Sequence, residues 1–289
     1  MENHQSVVVI TGTSSGIGFE TALLAAKHGY TVIATVRNLK KAEALRTASA
    51  GLPVEVMKLD VQDRHSIDRC VEQVLSQYGR IDVWVNNAGF GLAEFLERSS
   101  EQSIHEIFDV NVYGPIRCMQ AVLPHMRKQK SGHLIAVSSV GGIVGQPMNE
   151  VYCSAKFALE GLVESMATYM EPYFGIKMTL IEPAGTKSEF AQRVLGQVEK
   201  SDLLTGDHGY APIAQDYLKS LQENGMFARS QEAKEVAQTI IDCMLGRKTG
   251  LRHPTSDFAA AFCVEKLKED PTGEKQLRRI RQYLLSIQG

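Results

Sequence analysis

A short β-branched run, Val7 to Thr11, leads directly into a glycine-rich turn, TGTSSGIG (Thr11 to Gly18), and then into a helical pattern from Gly16 to His28. No other feature limits the fold as much as this strand–turn–helix unit. Gly12, Gly16 and Gly18 shape the turn, where missing side chains permit a tight bend and let a pyrophosphate approach the backbone and the helix N-terminus. Ile17, Ala22 and Ala25 are available to pack inward. The same rhythm continues along the chain. Strands are expected at 31–36, 54–59, 83–85, 134–137 and 177–181, with helices near 40–46, 66–78, 103–128 and 151–173. Strands that are apolar throughout, each followed by a helix, predict a parallel sheet covered on both faces. Right-handed crossovers then give a doubly wound, Rossmann-type α/β fold in three layers, a single domain over residues 1–289.

The rhythm changes after Ile181. Residues 190–230 are polar and irregular, and are expected to form a mobile substrate-binding segment with short helices over the site. A helix at 231–245 and a strand near Leu251 resume the pattern. Residues 274–287 have the spacing of an amphipathic C-terminal helix, with Leu277, Ile280, Leu284 and Ile287 on one face.

Composition excludes several classes. The formal charge of −2 gives no reason to expect a nucleic-acid partner. Five scattered cysteines without a C-x-x-C pair, and eight histidines without H-E-x-x-H, argue against a disulfide framework or a metal site. No run reaches the roughly 18–20 apolar residues of a membrane helix. The polar N-terminus lacks the apolar stretch of a signal peptide, so a soluble, cytoplasmic protein is expected.

The second strand ends in Thr35-Val36-Arg37, where an NAD-binding fold usually presents a carboxylate to the adenosine ribose. Arg37 suits a 2′-phosphate instead, with Ser14 and Ser15 as added hydroxyl donors. The expected cofactor is therefore NADP(H) in preference to NAD(H).

Tyr152 and Lys156 lie four apart on an expected helix and so share a face. An ammonium about 4 Å from a phenol, at an effective dielectric of about 20, favours the phenolate by about 4 kcal/mol. That is about three pK units before desolvation opposes it. Such a tyrosine would exchange protons near neutral pH.

These motifs resemble the short-chain dehydrogenase/reductase family over nearly the whole chain. The resemblance rests on TGTSSGIG, LDV (Leu59 to Val61), NNAG (Asn86 to Gly89), Asn111 in DVNVYG, Ser138-Ser139, and YCSAK (Tyr152 to Lys156). It implies that Tyr152 is the general acid or base and that Lys156 tunes it and binds the nicotinamide ribose. Ser139, thirteen residues before Tyr152, would hold the substrate oxygen, and Asn111 would anchor a relay water. The implied cofactor contacts run through Gly12, Ser14, Ser15, Gly16, Ile17 and Gly18. They continue with Asp60 and Val61 at the adenine, Asn87, Ala88 and Gly89 beside the sheet, and Pro183 and Thr186 or Ser188 near the carboxamide. Ala184 stands where the family often has glycine, and it tolerates fewer backbone conformations.

The implied reaction interconverts a ketone or aldehyde with an alcohol. The TVRN region, the IEP segment and LRHP are similar to members acting on steroids, retinoids and other apolar carbonyls. Met148, Phe190, Val194, Leu195, Met226 and Phe227 are candidate pocket residues. The family also implies a homodimer or homotetramer. The alternative is a non-catalytic NADP(H)-binding sensor on the same fold; such proteins typically lose the tyrosine or lysine, and both are present here. Cys153, beside the tyrosine on a packed helix, reads as a small hydrophobe.

Overall fold

A computed structural model describes residues 5–207, 209–223, 229–268, 270, 272 and 274. Seven parallel strands form one sheet: β1 (Val7–Thr11), β2 (Thr31–Val36), β3 (Val54–Lys58), β4 (Val83–Asn86), β5 (Gly132–Val137), β6 (Ile176–Glu182) and, last in the chain, Arg252–Pro254. The helices between them are α1 (Gly16–Lys27), α2 (Glu43–Ala48), α3 (Arg64–Tyr78), α4 (Glu101–Phe108), α5 (Gly114–Gln129) and α6 (Glu150–Phe174). Beyond the sixth strand come β7 (Thr186–Lys187), α7 (Glu189–Lys200), α8 (Ala211–Glu223), β8 (Gln231–Glu232) and α9 (Ala233–Met244). The seventh sheet strand, β9, and α10 (Asp257–Leu267) follow.

The spatial order is β3-β2-β1-β4-β5-β6-β9, every pair parallel. The winding reverses between β1 and β4, and a crevice opens at such a reversal beyond the strand carboxyl ends. Alternation along β1 shows why its run is apolar throughout. Val7 and Val9 pack with Cys118, Val122, Leu159 and Val163 from α5 and α6. Val8 and Ile10 pack on the other face with Ala22, Ala25, Val236 and Ile240 from α1 and α9. A strand buried on both faces has no solvent side on which to place a polar residue.

Three differences from the sequence reading bear on the site. The helix expected over 103–128 is interrupted by a π-helical turn at Asp109–Tyr113, which carries Asn111. Residues 190–230 hold two substantial helices, and α7 lies over the crevice; its N-terminus is capped by Ser188, which accepts from Ala191 N. Helix α10 has no counterpart in the sequence reading. Met226, Phe227 and the tail helix expected at 274–287 lie outside the described residues, Glu274 excepted. Among the described residues no helix is long and apolar enough to cross a membrane.

Candidate active site

The turn after β1 is tied to its neighbours by hydrogen bonds. Thr13 donates through N and Oγ1 to Thr35 O, at 3.0 and 3.1 Å, fixing it to the end of β2. Asn87 Nδ2 donates to Thr11 O and Gly12 O at 2.8 and 3.0 Å, fixing it to the segment after β4. Asn87 N and Ala88 N both donate to Thr11 Oγ1 at 3.0 Å. A methyl on Gly12 would lie 2.8 Å from Ala88 Cα, so this approach needs glycine.

The residues fit a dinucleotide. No side chain caps the N-terminus of α1 at Ser15, leaving its first amides without a side-chain partner. A methyl on Gly16 would meet only Ser188 Cβ, at 3.6 Å. An anion at this point would be bound by backbone donors and the helix dipole. Ser14 and Ile17 are half-buried around it. Arg37 is exposed just past β2, and Thr35, Val36 and Asn38 beside it carry no charge. Asp60 Oδ1 accepts from Gln62 N at 3.1 Å while its own N donates to Ser66 Oγ, shaping the wall after β3. Val61 is buried against Gly114.

One contact lay beyond the sequence reading. Ser15 Oγ donates to Glu189 Oε2 at 3.1 Å, so the first turn of α7 places a carboxylate at the N-terminus of α1. Arg193 and Ser15 hold the Glu189 carboxyl below its ordinary range. The two residues are 174 apart in sequence, and no local signal pairs them.

The four expected catalytic residues converge at the other end of the crevice. Asn111 is buried, with Nδ2 donating to Phe90 O at 2.8 Å and Oδ1 accepting from Phe90 N at 3.1 Å. The π turn explains this placement: one extra residue per turn swings the amide inward, and such turns recur at functional sites. A Cβ at Gly89 would lie 2.8 Å from Asn111 Oδ1 and 3.8 Å from Lys156 Nζ, so both groups border that glycine. Lys156 is buried, donates to Val137 O at 2.8 Å, and sits 5.8 Å from the Tyr152 ring centre. Ser139 Oγ accepts from Gly141 N at 3.0 Å and is the neighbour that favours the ionised Tyr152 phenol.

The phenol does not titrate as the sequence argument expected. Burial pushes Tyr152 up to about 12, outweighing the pull of Ser139. Burial pulls Lys156 down to about 8, with Glu160 opposing. Desolvation of both groups therefore exceeds the attraction expected from i,i+4 spacing. At neutral pH Tyr152 carries its proton and Lys156 is largely cationic.

Pro183 and Thr186 flank the same end. Pro183 O accepts from Val140 N at 3.0 Å, and Thr186 Oγ1 donates to Ala184 O at 3.2 Å. Phe190 tilts against Tyr152 with ring centres 5.9 Å apart. Met148 and Val194 join an apolar cluster with Ala93, Phe95, Val198 and Ala214. Leu195 is not part of that cluster and is exposed. Cys153 is buried, and burial raises its thiol.

Comparison with known proteins agrees with this geometry. Residues 6–198 match the model of the family described as short chain dehydrogenase. Human 17-beta-hydroxysteroid dehydrogenase type 1 is 38% identical over 277 residues, covering 93% of this chain and 83% of that protein. Retinol dehydrogenase 8 of Bos taurus is 35% identical over 286 residues, covering 96% and 90%. A short-chain dehydrogenase from Streptomyces avermitilis superposes with a TM-score of 0.76 at 28% identity, covering 99% of each chain.

Proposed function

This chain belongs to the short-chain dehydrogenase family and is an oxidoreductase that takes a nicotinamide cofactor; from that premise we propose that it uses NADP(H) to interconvert an apolar ketone or aldehyde with its alcohol. The observation that carries the reading is the convergence of Tyr152, Ser139, Lys156 and Asn111 at the end of the crevice that the glycine turn opens. When bound, the cofactor supplies or accepts the hydride.

The chain's own residues do the rest. Ser139 holds the substrate oxygen beside Tyr152. The Tyr152 phenol donates its proton to that oxygen as negative charge develops there. A phenol raised to about 12 is a poor acid toward water but an adequate one toward an alkoxide. Lys156, anchored on Val137 O, presents a positive charge that offsets the phenolate left behind. Asn111 braces the Phe90 backbone, keeping the wall at Gly89 fixed. Holding the reacting groups in register supplies much of the rate.

Arg37, exposed just beyond the end of β2, supports a preference for the 2′-phosphate. The apolar cluster around Met148 and Val194, and the steroid and retinol relatives, support an apolar substrate. Exposed Phe157, Tyr169 and Tyr173 on α6 support a homodimer or homotetramer.

Oxidation of NADPH, with NADH alongside, over a panel containing a 17-ketosteroid, retinal and a small quinone tests the reading. Turnover confined to one apolar class and favouring NADPH is expected. Tight NADPH binding without turnover on any panel member would favour the sensor.

A further inference from the structure

Behind the catalytic turn, α6 carries a line of ionisable groups at four-residue intervals: Tyr152, Lys156, Glu160 and Glu164. Helical geometry places them on one face. Arg252 from β9 reaches three carboxylates there. Its Nε lies 3.3 Å from Glu160 Oε2 and 3.5 Å from Glu182 Oε1, and an NH2 group lies 2.7 Å from Glu164 Oε2. Glu160, Glu182 and Arg252 are 4%, 0% and 7% exposed, so solvent does not screen the cluster. Neither oxygen of Glu160 or Glu182 has a regular hydrogen-bond partner, and Ser138 is the neighbour that most favours the Glu160 charge. The seal is tight, since a Cβ on Gly142 would lie 2.9 Å from Glu160 Cγ.

One guanidinium cannot neutralise two buried carboxylates and the half-buried Glu164 as well. Buried acids left over in this way retain a proton. The remaining charge lies one helical turn from the buried Lys156, and Glu160 is the carboxylate that acts on it.

We propose that Glu160, gripped with Glu182 by Arg252, is a positioning residue for the reaction: its buried charge keeps the Lys156 amine protonated beside Tyr152. This rests on the assignment of Tyr152 and Lys156 as the proton-handling pair. The electrostatics run the same way. Glu160 is the group that raises the proton affinity of Lys156 against burial. Burial raises both Glu160 and Glu182, and Glu160 raises Glu182 further while Arg252 lowers both. Glu164 raises Glu160 from the next turn, and burial, then Glu182 and Glu160, raise the Cys263 thiol of α10. Glu160 therefore ionises ahead of Glu182, and of the two acids Glu160 is the one that acts on Lys156.

That asymmetry between the two acids provides the test. Lysine labelled at the ε-carbon gives an NMR titration of Lys156 in the full chain, with no substrate needed; the signal is assigned by its loss in Lys156→Met. Glu160→Gln should lower the Lys156 midpoint by about one pH unit. Glu182→Gln removes the neighbouring acid that does not act on Lys156, and should leave that midpoint near its wild-type value. A midpoint that fails to fall in Glu160→Gln would overturn the proposal; if that variant does not fold, a midpoint that falls by as much in Glu182→Gln does so, because the charge would then belong to the other acid. Wild-type turnover in Tyr152→Phe would instead remove the underlying assignment, whatever the lysine midpoints.

Discussion

Gly18 is the third residue of α1, a position where helix propensity alone favours alanine by about 1 kcal/mol. Sterics oppose it. A methyl there would lie 2.5 Å from Gly12 O and closer still to Asn87 Nδ2. The amide can withdraw only by giving up its bonds to Thr11 O and Gly12 O, worth about 1 kcal/mol each. The carbonyl is backbone in the turn and cannot rotate away, which adds about 1–3 kcal/mol of overpacking. Sterics win, and Gly18→Ala should destabilise by about 3 kcal/mol after the propensity gain. At about 2–4 °C per kcal/mol for a chain approaching this size, melting should fall by about 6–12 °C. NADPH binding should weaken as well, because the displaced groups shape the turn. Gly161→Ala is the control: it lies within α6 with nothing within 4 Å of the added methyl, and it should stabilise by about 0.5–1 kcal/mol. Calorimetry and an NADPH fluorescence titration on both variants decide the matter. If Gly18→Ala melts with Gly161→Ala at or above the wild type, the packing argument is wrong.

Arg37→Asp should move the ratio of specificity constants toward NADH, and an unchanged ratio would rule out a 2′-phosphate contact. Glu189→Gln should bind NADPH more tightly, by several-fold, since it removes a carboxylate from the phosphate-binding helix end; equal or weaker binding would refute that competition. Glu160 and Glu182 have folded-state pKa values raised to about 7 and about 8, so their contribution to stability is present at low pH and is lost as pH rises through those values. The melting temperature should therefore fall between pH 6.5 and 8 and fall less in Glu182→Gln, whereas equal slopes would contradict the linkage.

Much of the fold was legible because both faces of the sheet are covered. Runs such as Val7 to Thr11 have no polar side to blur their ends, and the glycine turn marks the first crossover. The π turn at Asn111 was not legible, since DVNVY contains neither glycine nor proline and an inserted residue leaves helical periodicity nearly intact. After Asp257, helix α10 runs FAAAFCV, apolar on every side, so it lacks the contrast that marks a surface helix. The positions of the catalytic residues followed from motif spacing, but their protonation did not. Spacing places Lys156 near Tyr152, whereas the cost of burying both depends on α7 and the surrounding core. The Glu160–Arg252 contact spans 92 residues; the i+4 run from Tyr152 to Glu164 was the one local sign of it.

The account depends most on Tyr152 as the proton donor. The direct measurement is NADPH oxidation by Tyr152→Phe with the best carbonyl of the panel, with NADPH affinity measured on the same preparation. Unchanged NADPH affinity with turnover reduced at least about a hundredfold is the predicted result. Turnover equal to the wild type would contradict the account.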